Sequence, residues 1–213
     1  MDYTAFSSAI DDYGFAYVGT TRRVAILNDV VADVCSREPW PFLETGVTLT
    51  FNGSSATPTN LPTSLLSVIS MVNSTSGQIL MPLRQDEFEK VHSSDALDVG
   101  TPLAYYFDGS LALKVWQVPS ATDTLNMKYL RFHPTLTSSS AEADILIPAR
   151  HHQVVLDGII CKLHRMADAF DSSSSFKQEY EERLVLMRSE IWMRQYDRTD
   201  TIQVLDSDFY DYE

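Results

Sequence analysis

The sequence predicts an α+β fold, in which one N-terminal and two C-terminal helices form a three-helix bundle frame with an inserted, mostly antiparallel β module. Two observations lead to this prediction. An amphipathic helix near the start ends at Pro39-Trp40, and helical partners for it return only within 149–195, after a long stretch of short strands and turns. A lone amphipathic helix is marginal in water because its apolar stripe has nothing to bury against. We therefore expect the three helices to pack on one another.

This organisation divides the chain into four parts. At 213 residues the chain can hold one large domain or one domain with a sizeable insertion. We expect an N-terminal arm at 1–19, a helical domain made of 20–43 and 145–197, an inserted β domain at 44–144 and a C-terminal extension at 198–213.

The first long helix has a start signal and a stop signal. Residues 1–19 carry aromatic side chains without a clear period, which indicates an extended arm or a short helix, followed by a turn at Gly19. Thr20 or Thr21 then offers an N-cap. Pro39 ends the helix, because it has no N–H to donate and restricts the residue before it. The apolar residues between these signals recur at helical spacing: Val24, Leu27, Val30, Val31, Val34 and Cys35.

The inserted segment predicts five or six short strands. Apolar residues alternate with threonines over 47–51, which is the period of a half-buried strand. The clearest signal is the pair of apolar runs 103–107 and 111–115 around Asp108-Gly109. This dipeptide predicts a tight hairpin, since both of its residues can take positive φ. Further candidates are strands at 65–72, at 79–83 with Pro82 marking an edge, and at 125–132, and a short helix at 86–92.

Two amphipathic helices are predicted at the C-terminal side. Pro148 is suited to a helix start. The serine run Ser172 to Ser175 separates the two helices, and Ser175 with Gln178 forms a capping box for the second. The first helix has one apolar arc: Val155, Leu156, Ile159, Leu163, Met166 and Phe170. The second has a narrow stripe: Phe176, Tyr180, Leu184, Met187 and Ile191. The short connection predicts an antiparallel helical hairpin.

The last helix carries apolar residues on the side opposite its stripe. Val185, Trp192 and Tyr196 fall there, with Leu186 and Met193 close by. Two apolar faces indicate burial from both sides. The alternatives are a slightly larger core or a subunit interface, and for the latter the contact residues are Val185, Trp192, Met193 and Tyr196.

The segment after this helix is too apolar for a solvated tail and too short for a domain. Its apolar residues stand among aspartates: Ile202, Val204, Leu205, Phe209, Tyr210 and Tyr212. We expect an extension that becomes ordered on a partner.

Composition excludes several classes of function. A formal net charge of −13 argues against sequence-specific or phosphate-neutralising binding to nucleic acid, although a negative wall lets DNA slide past. Two cysteines are too few for a disulfide scaffold and fit a reducing compartment. Neither a secretory signal nor an apolar run of about 20 residues is present, so we expect no membrane partner and synthesis in the cytoplasm.

No catalytic or metal-binding constellation is predicted. Nucleotide-binding, zinc-protease and nucleophile-elbow motifs are absent. The best metal candidates are Cys161 and His164 with His151 or His152, but on a helical wheel they do not converge, so we expect neither metal nor cofactor. Glu38 and Glu44 are the best carboxylate pair for a glycosidase, and their more ordinary role is that of solvent-facing carboxylates.

Four blocks of sequence, read in order, carry a family resemblance over about 22–195. The first helix running into Pro39-Trp40 is one, and the others are Gly100 to Tyr106 with Val118-Pro119, then Tyr129, Arg131 and Pro134, and finally Ile147-Pro148 with His151 or His152 and Gly158. Their joint order resembles the phage head-to-tail adaptor proteins, the group that includes tail tubular protein A of short-tailed phages.

The resemblance implies a structural function. Such adaptors form a ring, usually of twelve copies, beneath the portal of a tailed phage, extend the DNA channel and offer a platform to tail or nozzle proteins. For this chain it implies a virion protein of the head-tail neck, assembled in the host cytoplasm. The C-terminal extension would then dock on the portal protein, with Phe209, Tyr210 and Tyr212 as aromatic anchors.

Three alternatives remain open at this point. The phage context together with Glu38 and Glu44 allows a virion-associated peptidoglycan hydrolase. A tail-completion or tube-end protein is a second alternative. A binding module with Tyr105, Tyr106 and Trp116 on a ligand face is the third, although such aromatics more often form sheet cores or cross-strand pairs.

Overall fold

The chain folds into two compact units. The computed structural model describes residues 1–53, 55–91, 99–110, 112–120, 123–167 and 169–203, without the side chains of 89–91, 170 and 194–203. The helical unit comprises Met1–Phe42 and His133–Glu213, and the β unit comprises Leu43–Phe132.

Five helices and six strands are described. The helices are α1 (Tyr3–Asp12), α2 (Thr20–Arg37), α3 (Gln85–Val91), α4 (His152–Met166) and α5 (Phe170–Gln203). The strands are β1 (Glu44–Thr50), β2 (Leu65–Asn73), β3 (Met81–Pro82), β4 (Ala104–Phe107), β5 (Leu113–Trp116) and β6 (Thr124–Arg131).

The first segment contains a helix, so the extended alternative for 1–19 is wrong. The Asp2 carboxylate caps α1 by accepting a hydrogen bond from the Ala5 N–H at 2.8 Å. The helix ends at Asp12 with Tyr13 as C-cap residue, and Gly14 follows with a φ of 87°, which glycine adopts without strain. The Gly14 N–H donates to Asp11 O, and the Phe15 N–H donates to Ile10 O, which is the Schellman pattern. The sequence prediction placed the turn at Gly19, whereas Gly14 makes it.

Arg23 ties α1, the following loop and α2 together. Its side chain is 6% exposed, and α2 begins only three residues before it. The guanidinium donates to the Ser7, Val18, Phe15 and Ala16 carbonyls and pairs with the Asp11 carboxylate. A buried guanidinium is tolerated because its donors are satisfied in this way. The N-cap residue of α2 is Gly19, which makes no side-chain bond, so the predicted Thr20 or Thr21 cap is wrong.

α4 is the central helix of its unit, because nearly all of its first three turns are buried. Helices α1, α2 and α5 all contact it. Gly158 sits where α2 and α5 both approach closely: a Cβ atom there would lie 2.6 Å from Val30 Cγ1 and 3.1 Å from Tyr180 Cε2. The absence of a side chain at Gly158 therefore lets both neighbours pack on α4.

The serine run lies inside α5 and does not separate two helices, which corrects the sequence prediction. α4 ends at Met166 and α5 begins at Phe170. Ser173 is 5% exposed, and its hydroxyl donates to the Cys161 carbonyl at 3.2 Å. Serine favours caps and turns when its hydroxyl competes for local backbone groups, but here the hydroxyl bonds to the neighbouring helix. Since α5 starts before the serines, Ser175 and Gln178 are not its capping box.

The segment 133–144, expected within the inserted β domain, groups with the helical unit. The Asn28 side chain on α2 accepts a hydrogen bond from the Leu136 N–H at 2.8 Å and donates to the Leu136 carbonyl at 2.9 Å. Leu136 itself is 1% exposed. A paired backbone and a buried side chain thus fix this segment to α2.

Two three-stranded sheets form the β unit around one apolar core. Their strand orders are β1-β6-β2 and β3-β4-β5, and every pair is antiparallel except β3 with β4. Pro82 lies on the edge strand β3, where a missing N–H is tolerated. The core residues are Leu49, Phe51, Met71, Leu80, Tyr105, Leu113, Val115, Leu125, Met127 and Tyr129.

The β4–β5 connection differs from the predicted tight hairpin. The positive-φ glycines of the described chain do not include Gly109. Instead the Asp108 N–H donates to the Ala112 carbonyl, and the Asp108 carboxylate accepts bonds from the Ser110 and Ala112 N–H groups. An Asp side chain that bonds to backbone groups two and four residues on supports a loop longer than a two-residue turn.

Gly158→Ala tests the packing around α4. We expect a loss of about 1–3 kcal/mol in the free energy of unfolding, because the methyl group must displace Val30 or Tyr180. In a Val30→Ala background the same change should cost less, since the methyl then enters vacated space. Urea unfolding followed by circular dichroism measures all four chains. A gain of about 1 kcal/mol, as helix propensity alone would give, would contradict this packing.

Candidate assembly interface

Trp40 closes the C-terminal end of α2. Pro39 follows the C-cap residue Glu38, and the chain then turns so that Trp40 is only 2% exposed. Its indole N–H donates to the Val34 carbonyl at 2.7 Å. That carbonyl belongs to the last turn of the helix, where the carbonyls have no partner within the helix. The Pro-Trp segment therefore acts as a structural cap, and Trp40 also stacks on Phe42 at a centroid distance of 5.7 Å.

Glu38 fastens this end of α2 to α5. One carboxylate oxygen accepts a hydrogen bond from the Trp192 indole at 3.0 Å, and the other pairs with the Arg188 Nε at 2.7 Å. Glu38, one of the two candidate acids for a hydrolase, thus has both oxygens engaged in contacts between helices. Glu44, the other candidate, begins β1 in the β unit and is exposed.

A second polar cluster fixes how α5 is rotated against α2. The Arg37 guanidinium donates to both Glu181 oxygens at 3.0 and 3.1 Å and to Asp33 at 3.0 Å, and the Tyr180 hydroxyl donates to Asp33 at 2.6 Å. Burial alone would raise the pKa of Asp33, but the hydrogen bonds from Tyr180 and Arg37 outweigh it and lower that pKa. Burial and the Asp33 contact both raise the pKa of Tyr180. These bonds determine which side of α5 faces inward.

The inward side is the stripe that the sequence predicts. Tyr180, Leu184, Met187 and Ile191 are buried, with 1–7% of each side chain exposed, and Phe176 is half-buried. The interval of three to four residues keeps them on one face of the helix. On this side of α5, Arg183 forms an ion pair with Asp157 of α4, with 2.7 Å between Arg183 Nε and Asp157 Oδ2. The angle at this contact does not fit a hydrogen bond. Burial raises the pKa of Asp157.

The opposite side of α5 exposes large apolar side chains. Val185, Leu186 and Met193 are 64%, 61% and 65% exposed, and we call these three residues the outer face of α5. Trp192 is half-buried, and its polar edge is bound to Glu38 of the same chain. The side chain of Tyr196 lies outside the described residues. The larger-core alternative does not account for the outer face, because more than 60% of each of its three residues is exposed.

A second exposed apolar surface was not foreseen from the sequence. Tyr13, Tyr17 and Met166 are 44%, 73% and 48% exposed, and we call them the aromatic patch. Tyr13 stands edge-on to Phe176 at 5.7 Å, and Phe15 contacts Tyr17 at 6.0 Å. His164 joins the two pairs: it stacks on Phe176 at 5.1 Å and meets Phe15 edge-on at 4.9 Å. The only signal was the unpatterned run of aromatic residues before Gly19. Met166, predicted on the buried arc of α4, lies in this exposed patch instead.

The candidate metal ligands have separate partners. His151 lies near Glu190 and Arg150, and the His152 Nε2 contacts the Ile147 carbonyl at 2.8 Å. Cys161 contacts Ser173 of α5, and His164 lies in the aromatic cluster. Among the residues that the structure describes, no group of three or more His, Cys, Asp or Glu side chains is placed to hold a metal ion. Cys35 is half-buried, and burial raises the pKa of its thiol to about 12, so it is a weak nucleophile.

The aromatic residues proposed for a ligand face belong to the sheet β3-β4-β5. Tyr105 is 7% exposed and lies in the core of the β unit. Tyr106 stacks on Phe88 at 4.5 Å, and Trp116 stands opposite Ala104 in the β4–β5 pairing. These are a core position, a contact between the sheet and α3, and a cross-strand pair, all of which are ordinary in a sheet that packs on a helix.

Nearly all of the residues predicted to dock on the portal lie outside the part of the chain that the structure describes. Val204, Leu205, Phe209, Tyr210 and Tyr212 lie outside the described residues, and so does the side chain of Ile202. The backbone at Ile202 is the penultimate position of α5, so the helix continues past the predicted boundary at 197.

Two tryptophan substitutions compare the energetic contribution of the Trp40 cap with that of the Trp192–Glu38 contact. Trp40→Phe should lower the free energy of unfolding by about 3 kcal/mol, because the buried Val34 carbonyl loses its donor and the ring leaves a void. Trp192→Phe should cost less than about 1 kcal/mol, since Glu38 keeps Arg188 and reaches water. Chemical unfolding of both variants gives the comparison. Equal losses would show that the Trp40 indole is not a cap.

Comparison with known proteins gives the family. Among the described residues, no helix combines the length and apolar content that crossing a bilayer requires. No curated protein matches the sequence. The family model of the SU10 adaptor protein matches residues 1–204, nearly the whole chain. The phage adaptor resemblance is thereby confirmed, while the closer grouping with tail tubular protein A stays an expectation. The chain belongs to the SU10 adaptor protein family and is a structural adaptor protein of a bacteriophage virion.

Proposed function

We propose that the protein is a head-to-tail adaptor that forms a ring beneath the phage portal, extends the DNA channel and provides the platform to which the tail or nozzle proteins attach. The outer face of α5 is the observation that carries this proposal. It places three large apolar side chains, each more than 60% exposed, on a helix that is already anchored through its opposite stripe. An exposed apolar face of this kind on a folded unit marks an interaction surface.

A ring accounts for two different exposed apolar surfaces, the outer face and the aromatic patch, better than a two-fold dimer does. Side-to-side contacts in a closed ring are heterologous, so each copy offers two different surfaces and closure leaves neither exposed. We propose α2, α4 and α5 as the three-helix frame that carries these contacts, with α5 supplying the outer face, and twelve as the copy number that the resemblance implies. The outer-face residues Val185 and Met193 contribute to the contact, together with Trp192 and Tyr196.

The acidic character of the chain suits passage of DNA. The formal net charge of −13 on each copy multiplies around a ring, and a wall of that sign repels phosphates. DNA then passes through the channel without being held on it and without its sequence being read. The basic surface that binding to nucleic acid requires is missing from this composition.

We propose that the C-terminal extension docks on the portal protein. Helix α5 has 34 residues and α4 has 15, so α5 extends well beyond the length that α4 can cover. Its last turns therefore lie beyond the contact with α4, and Val204 to Tyr212 follow them in the sequence. Aromatic side chains among aspartates, as in Phe209, Tyr210 and Tyr212, are suited to anchoring in pockets of a larger partner.

Light scattering tests the ring. The purified protein alone should have the molar mass of a monomer. Mixed with the portal protein of the same phage, it should give a complex whose molar mass exceeds that of the portal by the mass of the bound ring. Leu186→Glu should reduce this assembly severely, because it places a charge in an apolar contact. Ala25→Glu is the matched control: Ala25 is also exposed and helical but lies on α2, away from the outer face. A chain that stays monomeric with the portal would contradict the proposal.

A truncation after Gln203 tests the docking of the extension. The shortened chain should lose binding to the portal and keep its helical circular dichroism, because the removed residues follow the last described helix. Pull-down of the portal by the truncated and the full chain measures the difference. Undiminished binding would show that another surface meets the portal.

A further inference from the structure

The exposed apolar residues of the helical unit form two groups. Within the described part of Met1–Phe42 and His133–Glu213, the large hydrophobic side chains that are exposed are those of the outer face and those of the aromatic patch. The outer face is Val185, Leu186 and Met193, and the aromatic patch is Tyr13, Tyr17 and Met166. A heterologous contact needs two different surfaces on each copy, and this unit presents two.

The two surfaces lie on different sides of α5. Phe176, on which Tyr13 stands, is nine residues from Val185, ten from Leu186 and seventeen from Met193, which on an α-helix are rotations of about 180°, about 80° and about 100°. Phe176 belongs to the side that faces α4, whereas the outer face is exposed. A subunit in a ring presents a different surface to each of its two neighbours, and two surfaces that face different directions meet this requirement.

Unpaired charges of opposite sign accompany the two surfaces. Glu179 and Glu182 fall on the side of α5 that carries the outer face, and neither forms an ion pair with a described residue; Glu182 only accepts a hydrogen bond from Gln178 at 2.9 Å. The cations of α5 between Glu179 and Met193 are Arg183 and Arg188, and both form ion pairs with other residues, Asp157 and Glu38.

The aromatic patch is flanked by positive charge. Arg22 reaches the Met166 sulfur at 3.6 Å and Arg165 precedes Met166, and both are exposed without an ion pair to a described residue. Asp12, which is exposed and adjacent to Tyr13 in sequence, carries a charge of the opposite sign. Opposite charges at the rim of an apolar contact favour the correct pairing of surfaces over pairing of like with like.

We propose that in the ring the outer face of α5 of one copy packs on the aromatic patch of the next copy. This proposal rests on the ring of the proposed function and specifies its contact. Tyr13 and Tyr17 supply rigid, amphipathic rings, and Met166 and Met193 supply side chains that adapt to an irregular surface. The rims place Glu179 and Glu182 of one copy toward Arg22 and Arg165 of the other.

Cross-linking of single-cysteine additions tests the pairing. Tyr17→Cys and Met193→Cys are made in separate chains, mixed, assembled on the portal protein and treated with a short bismaleimide. Ser36→Cys, exposed on α2 and outside both surfaces, replaces Met193→Cys in the matched control. The unaltered chain, with its half-buried Cys35 and Cys161, gives the background. Light scattering before the reagent is added records whether a ring-sized species has formed.

The proposal expects Tyr17–Met193 linked pairs in several-fold excess over the control pair, and little linkage of either variant to itself. A ring-sized species in which Met193→Cys links mainly to itself would overturn the pairing, because the contact would then join like surfaces, and would leave the ring intact. A ring-sized species without a Tyr17–Met193 link would likewise overturn the pairing alone. Absence of any ring-sized species would contradict the ring and the pairing together.

Discussion

The burial of α4 is the constraint on which the helical unit depends. Nearly every side chain of its first three turns is covered, so the helix needs partners on several sides. Those partners, α2 and α5, are separated in sequence by the entire β unit, and they meet where Gly158 leaves room for Val30 and Tyr180. The Trp40 cap fixes the end of α2 near this contact. The bonds of Glu38 and of the Arg37 cluster fix the rotation of α5.

Once the rotation of α5 is fixed, the apolar residues on its other side are not buried by the described part of the chain. The stripe from Tyr180 to Ile191 is buried within the helical unit, whereas Val185, Leu186 and Met193 are exposed to solvent. The polar groups that might have served chemistry are used elsewhere: Glu38 and Asp33 hold helices together, and Cys161 and His164 contact α5. The outer face is thus available for contact with other molecules, which agrees with membership of an adaptor family.

Hydrophobic periodicity and helix stop signals predicted several of these features from the sequence. Pro39 correctly predicted where α2 ends. Spacings of three and four residues predicted the buried stripe of α5 and therefore its exposed outer face. Features decided by distant contacts could not be read in this way. The hydroxyl of Ser173 bonds to α4, so a serine run became helix, and the aromatic patch is assembled from a loop and two helix ends with no common period.

Electron cryomicroscopy of the neck assembled from the portal protein and this chain would show directly whether the outer face is a subunit contact. We expect a closed ring in which Val185, Leu186 and Met193 of each copy are covered by the adjacent copy. A map that shows these three side chains facing solvent in the assembled neck would contradict it.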